Sequence, residues 1–152
     1  MREGWLWKLV GVTSGVLLID QGLKALFWWG FTWHSKCISL VLVVNRGVAF
    51  SLLQELGGDL KFYQLILIGV VALLLWREGA LQRHPFLFGL IFGGGLSNIL
   101  DRFTRGGVVD YLYWHCGFQF PVFNLADVLI DLGVGLLLLH LWLSHRKVQR
   151  SG

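Results

Sequence analysis

Four apolar segments set the terms of the fold: about Trp5–Trp29, Gly58–Trp76, Pro85–Phe103 and Phe123–Trp142. The first and last reach the ~20 residues a helix needs to cross the hydrocarbon core of a bilayer. The middle two have uncharged runs nearer ~15 residues and by length alone could be core helices. Composition decides against a soluble bundle. Charged residues make up 14% of the 152, where soluble domains carry about a quarter. Mean hydropathy is +0.65, and eight tryptophans accompany only two prolines. Glycines in FGLIFGGGLSN suit helices whose backbones approach closely within a membrane. The reading is an all-α membrane protein, a single domain over 1–152 with four transmembrane helices.

Flanking charge orients the spans. Arg2, Lys8, Arg77, Arg83, Arg146, Lys147 and Arg150 collect on the side that holds both termini, and Lys36, Arg46 and Arg105 fall on the other. The positive-inside rule makes the first side cytoplasmic. Trp5, Trp7, Trp76 and Trp142 would mark the inner interface, and Trp28, Trp29, Trp33 and Trp114 the outer one. The opening apolar run continues past Asp20 and Lys24 without a small-residue cleavage site, so it reads as a retained span rather than a cleaved leader. The net charge of +4 comes without a basic stripe, which makes nucleic acid a poor partner.

Two outward connections look strand-like. ISLVLVVNRGVAFSLL, within residues 30–57, is rich in β-branched residues, and GGVVDYLYW is entered through Gly106 and Gly107. Their edges could not lie bare in hydrocarbon, so a small sheet at the membrane surface is expected. Cys37 and Cys116 sit in separate loops. The expectation is free, inert thiols, with a bridge possible if both face an oxidising compartment.

The polar residues carry the chemistry. Asp20 and Lys24, at i and i+4, are read either as an internal ion pair or as an anchor for a headgroup or substrate. Asn98 and Arg102 share a face of the third span and could line a polar pocket, while Asp101 points elsewhere. Asp110 closes a strand-like stretch, and Asp127 lies in the first turn of the fourth span, both near the outer interface. Two carboxylates at one site cannot both ionise cheaply, so they share a proton. One can then activate water while the other polarises a carbonyl. Each acid alone is ordinary, and an acid in a first helical turn also interacts favourably with the helix dipole.

Other chemistries find little support. There is no HExxH, no GxSxG and no phosphate-binding glycine loop with a following lysine; the five histidines are scattered, so no metal site is expected. His140, inside an apolar run, reads as a tolerated helix residue.

Read together, DQGLK, NRGVAFS, GGGLSNILDRFTRGGVVDY and FPVFNLAD, in this order, closely resemble the lipoprotein signal peptidases (signal peptidase II), from Asp20 to about Gly133. The resemblance implies a bacterial inner-membrane aspartic peptidase. It would cleave the signal peptide of prolipoproteins just before a cysteine that carries a diacylglyceryl group, near the periplasmic face. It implies Asp110 and Asp127 as catalytic acids and Asn45, Asn98, Arg102, Asn124, Asp20 and Lys24 as residues that hold substrate or shape the site. Small size would matter at Gly47, Gly94 and Ala126. It further implies a monomeric four-helix bundle with an extracytoplasmic β-cradle, in contact with membrane lipids and without a cofactor or metal. Four positions depart from the family pattern: Gly95 and Ser97, since GGGLSN stands where GGALGN is usual, Tyr111 where Phe is common, and Val128 where Ser follows NLAD.

Two other classes fit the polar residues less well. A proton- or ion-coupled transporter would use Asp20, Lys24, Asp127 and Asp131 as a relay near the midplane, yet these acids cluster toward one end of their spans. A structural or lipid-binding subunit would tolerate loss of the aspartates. Asp131, one turn beyond Asp127, has no catalytic role in this reading; it stays protonated, finds a partner such as Lys24, or raises the pKa of Asp127.

Overall fold

The computed structural model describes residues 4–150, except 48–57, with side chains described to residue 146. Helix α1 (Trp5–Trp28) leads into a short strand β1 (Trp33–His34) and strand β2 (Ile38–Asn45). Helices α2 (Leu60–Arg77), α3 (Ala80–Arg83) and α4 (Pro85–Thr104) follow, then strand β3 (Val108–Trp114) and helix α5 (Leu125–Arg150). Three of these helices, α1, α2 and α5, are long and apolar enough to cross a membrane. The second half of the strand-like stretch, from Val48 through Leu53, lies outside the described residues.

The apolar segments became helices with ends shifted by local chemistry. Helix α1 stops at Gly30, whose φ of 97° lets its N–H reach the Phe27 carbonyl while Phe31 N–H reaches Leu26. Pro85 begins α4, where the missing N–H costs nothing. The connection REGALQRH between α2 and α4 holds the one-turn helix α3, entered through Gly79 at φ 68°. Helix α5 continues past Trp142 into a charged end.

Helix α4 lies between α1 and α5, and its glycines set both distances. A Cβ on Gly93 would sit 2.7 Å from Val16 Cβ and 2.9 Å from the Thr13 carbonyl oxygen of α1. One on Gly94 would sit 2.6 Å from the Ala126 carbonyl oxygen of α5. The GGG run therefore lets one helix approach two neighbours, as small residues do in membranes. The same run, with Ser97, Asn98, Asp101 and Arg102, makes α4 less apolar than its neighbours, and most of its polar side chains are shielded by them. Leu81, Phe88 and Phe92 form a core cluster beneath Trp5, Leu9 and Leu75.

The sheet runs β1-β2-β3, antiparallel throughout, with a register shift between Leu40 and Val43. Ile38 pairs with Trp114 and Asn45 with Val108. Phe27 of α1 stacks on Tyr111 of β3, ring centroids 4.3 Å apart, which seats the sheet on the end of α1. The cysteines do not remain free thiols. Cys37 and Cys116 form a disulfide, because the β2–β3 register brings their Cα atoms to 4.3 Å.

Candidate active site

The two aspartates meet around the side chain of Asn124. The backbone at Phe123 pairs with Leu112 of β3, so the chain enters α5 directly alongside the strand that carries Asp110. Asn124 is the N-cap of α5: its Oδ1 accepts the Asp127 N–H at 2.9 Å, and Asp127 Oδ2 accepts the Asn124 N–H at 3.2 Å. This is a reciprocal capping box built from Asn and Asp. The Asn124 amide nitrogen donates to Asp110 Oδ1 at 2.7 Å, with the Val109 carbonyl and Asn98 Oδ1 at 3.2 Å.

The remaining first-turn donors of α5 are also satisfied by distant residues. Ala126 N–H donates to Asp20 Oδ1 at 3.0 Å, and Leu125 N–H to the Tyr111 hydroxyl at 3.1 Å. The start of a helix normally leaves such groups unpaired. Here they fix where Asp127 stands. Tyr111, where Phe is the family habit, spends its hydroxyl on this task, and burial pushes its pKa up to about 12.

Asp110 is held from a second side. Asn45 lies on the same sheet face, diagonal to it in register, and its amide donates to Asp110 Oδ2 at 3.2 Å. Burial raises the Asp110 pKa to about 7, with the Asp127 charge adding to the effect; the Asn45 and Asn124 amides and Lys24 pull the other way. Asn98 donates to Asp127 Oδ1 at 2.8 Å.

Behind this layer lies a closed ionic network. Lys24, fully buried, directs its three N–H donors to Asp20 at 2.7 Å, Asp101 at 2.8 Å and Asn98 Oδ1 at 2.8 Å. Fixing the Asn98 oxygen on Lys24 turns its NH₂ toward Asp127. Asp101 also accepts from Gln21 at 2.9 Å, from Arg105, and from the Val109 N–H at 3.1 Å, immediately before Asp110. Ser97 donates to Asp20 at 2.6 Å and accepts from Gln21 at 2.9 Å. Its hydroxyl therefore ties α4 to α1 rather than spacing them apart.

Both acids open on a cavity of about 630 Å³ between α2, α4, α5 and the sheet. Asn45, Asn98 and Arg102 add polar groups, and Leu67, Ile68 and Ile130 are among its apolar walls. The Arg102 guanidinium donates to the Gly47 carbonyl and, at 3.4 Å, to that of Asn98. Its Nε is buried without a partner among the described residues.

The structure thus brings Asn45, Asn98, Arg102, Asp110 and Asp127 to one cavity. Asn124 and Ala126 are buried behind it, and Gly94 holds α5 close. Asp20 and Lys24, expected to hold substrate, are wholly buried and absent from the cavity wall; they act as the internal ion pair and position other groups. Asp101 does not point elsewhere but into the same network, because Lys24 and Gln21 reach it from α1. Lys24 is occupied and does not serve Asp131, which lines the cavity. Sequence reasoning passed over Gln21 and gave Asp101 and Arg105 no place at the site; the available signal was the spacing of Asp101 and Arg105 at i and i+4.

The chain is similar to known proteins over most of its length. The family model described as Signal peptidase (SPase) II matches residues 12–143. A lipoprotein signal peptidase of Helicobacter pylori (strain P12) is 48% identical over 143 residues, covering 93% of this chain and 91% of the relative. Its counterpart in Sulfurovum sp. (strain NBC37-1) is 46% identical over 139 residues, covering 91% and 94%. A solved bacterial membrane enzyme superposes with a TM-score of 0.72 at 24% identity, covering 88% of this chain and 87% of that one, a likeness of fold. The chain belongs to the signal peptidase II family.

Proposed function

We propose that the protein is an intramembrane aspartic endopeptidase that removes the signal peptide from diacylglyceryl-modified prolipoproteins, cutting just before the lipidated cysteine. The observation that carries this reading is the convergence of Asp110 and Asp127, from a strand and a helix, on the Asn124 side chain at one cavity. With Asp110 titrating near neutrality, the pair holds one proton at working pH. The protonated acid polarises the scissile carbonyl, while the carboxylate takes a proton from water as its oxygen attacks the carbonyl carbon. The tetrahedral intermediate collapses when an acid protonates the amide nitrogen, which breaks the C–N bond.

Other features support the substrate assignment. Leu67, Ile68 and Ile130 offer apolar wall to acyl chains, and the Arg102 guanidinium lines the same cavity. Asn45 and Asn98 hold the acids and border the same space. For topology, we read α4 as the fourth span, shielded from lipid by α1 and α5, in one domain that works as a monomer among membrane lipids. Both termini face the cytoplasm across the bacterial inner membrane, and the sheet and dyad lie at the outer face. A transporter relay is disfavoured because the Asp20–Lys24 pair is closed by Asp101 and Ser97.

The test is cleavage of a purified diacylglyceryl-modified prolipoprotein with a chelator present. Wild-type protein should cleave it. Asp110→Asn or Asp127→Asn should lose on the order of 10³-fold or more of the rate while still inserting and folding. Full activity in either variant would remove the dyad, and strict dependence on the unlipidated peptide would remove the substrate class.

A further inference from the structure

At the opposite end of the bundle from the dyad, the starts of α1 and α4 enclose a second cavity with α3, about 540 Å³ in volume. Lys8, Arg83 and His84 line it, and no carboxylate is among its described lining residues. Arg83 donates one N–H to the Glu78 carbonyl at 2.9 Å, which steadies the guanidinium at the rim and leaves donors to spare. The His84 pKa is lowered first by burial, then by His140 and Arg83. Neither helix start has a side-chain cap or a first-turn acid, and both add positive potential to the same space. Concentrated positive charge beside apolar surface calls for an anion that brings apolar surface with it.

We propose that this cavity binds the headgroup phosphate of an anionic phospholipid from the membrane leaflet at that end. Arg83 would engage the phosphate oxygens through its planar fork and Lys8 as a point charge. Trp5, Pro85 and Phe86 supply the apolar part of the lining, and Leu6, Trp7, Val10 and Phe86 continue outward as exposed apolar surface along α1 and α4. Acyl chains would lie along that surface. Free phosphate would make no use of it, which is why a lipid is the occupant. Basic pockets between spanning helices have this recognition chemistry. The site is separate from the peptidase cavity and does not depend on the cleavage reaction.

Native mass spectrometry of the full chain in detergent tests this with dioleoylphosphatidylglycerol, dioleoylphosphatidylcholine and inorganic phosphate as separate probes. The anionic lipid should be retained at least ~10-fold more tightly than the zwitterionic one. Lys8→Gln with Arg83→Gln should weaken the anionic lipid roughly 10- to 30-fold and leave the zwitterionic lipid unchanged. Arg77→Gln with Arg146→Gln removes the same charge from outside the cavity and should leave binding intact. Equal retention of both lipids by wild type, or equal losses in the two double variants, would overturn the site. Displacement of the lipid by millimolar phosphate would overturn its assignment to a lipid. Prolipoprotein cleavage in detergent should be the same in all three proteins, so the peptidase reading stands or falls separately.

Discussion

Asp110 is an acid placed where its charge is disfavoured, and pH should show it. Its pKa near 7 means the folded protein binds a proton there that the unfolded chain has released above about pH 4. Stability contributed by this group is therefore present at low pH and declines as pH rises through that window. Thermal unfolding in detergent should find Asp110→Asn gaining on wild type between about pH 4 and pH 7, with a constant difference above. In the wild type, kcat/KM should fall on the alkaline side with a midpoint near 7, as the shared proton is lost. Lys24 presents the opposite case, a buried cation whose partners are all in place. Lys24→Met would leave Asp20 buried without a cation and Asp101 with Arg105 alone, and should cost about 3–5 kcal/mol of stability, measured as a loss of folded protein on heating. Asp110, Asp127, Asn98 and Arg102 were legible as polar residues in or beside apolar spans. The role of Asp101 was not, since an acid in the last turn of a helix reads as interfacial. The arrival of Lys24 and Gln21, some 80 residues earlier on α1, makes it a buried hub.

Helix α4 carries information in its small residues as much as in its polar ones. Gly94→Val would drive a side chain into the Ala126 carbonyl and push the start of α5 away from Asn98. Overpacking of this kind costs about 1–3 kcal/mol, and cleavage should fall further than stability because Asp127 moves with α5. Gly22→Ala is the matching control: its added Cβ meets nothing within 4 Å in mid-helix, so melting temperature and activity should hold or rise slightly. The helices were legible because long apolar runs have few alternatives in a bilayer. The glycines signalled close packing but not which neighbour each would meet. Strands β2 and β3 were legible from β-branched runs, whereas β1, with two residues, carries no pattern to read. Helix α3 was hidden in a polar connection for the same reason.

The molecule as a whole is a helical bundle with its sheet and dyad at one end, and the Cys37–Cys116 disulfide braces that end alone. It joins the β1–β2 turn to the segment that runs on to the cavity-lining residues Phe120 and Phe123. Replacing both cysteines by serine should raise amide exchange in β2 and in residues 115–123 while leaving α1 and α4 protected. The stability cost should stay below the ~4.5 kcal/mol that chain entropy assigns to a loop of this length, since helices already held in a membrane have less freedom to lose. Exchange mass spectrometry on both forms would measure it. The bridge was left open on sequence grounds because pairing depends on the β2–β3 register, which no local pattern encodes. The start of α5 has a biosynthetic consequence. Its first-turn donors are received by Asp20 of α1 and Tyr111 of β3, both made earlier on the ribosome. The site proposed as catalytic is thus closed by a helix made after both of its acceptors, and a nascent chain halted before Leu125 should be an inserted but inert precursor. Supplying α5 as a separate polypeptide should then restore cleavage, with the waiting acceptors serving as its docking receptor.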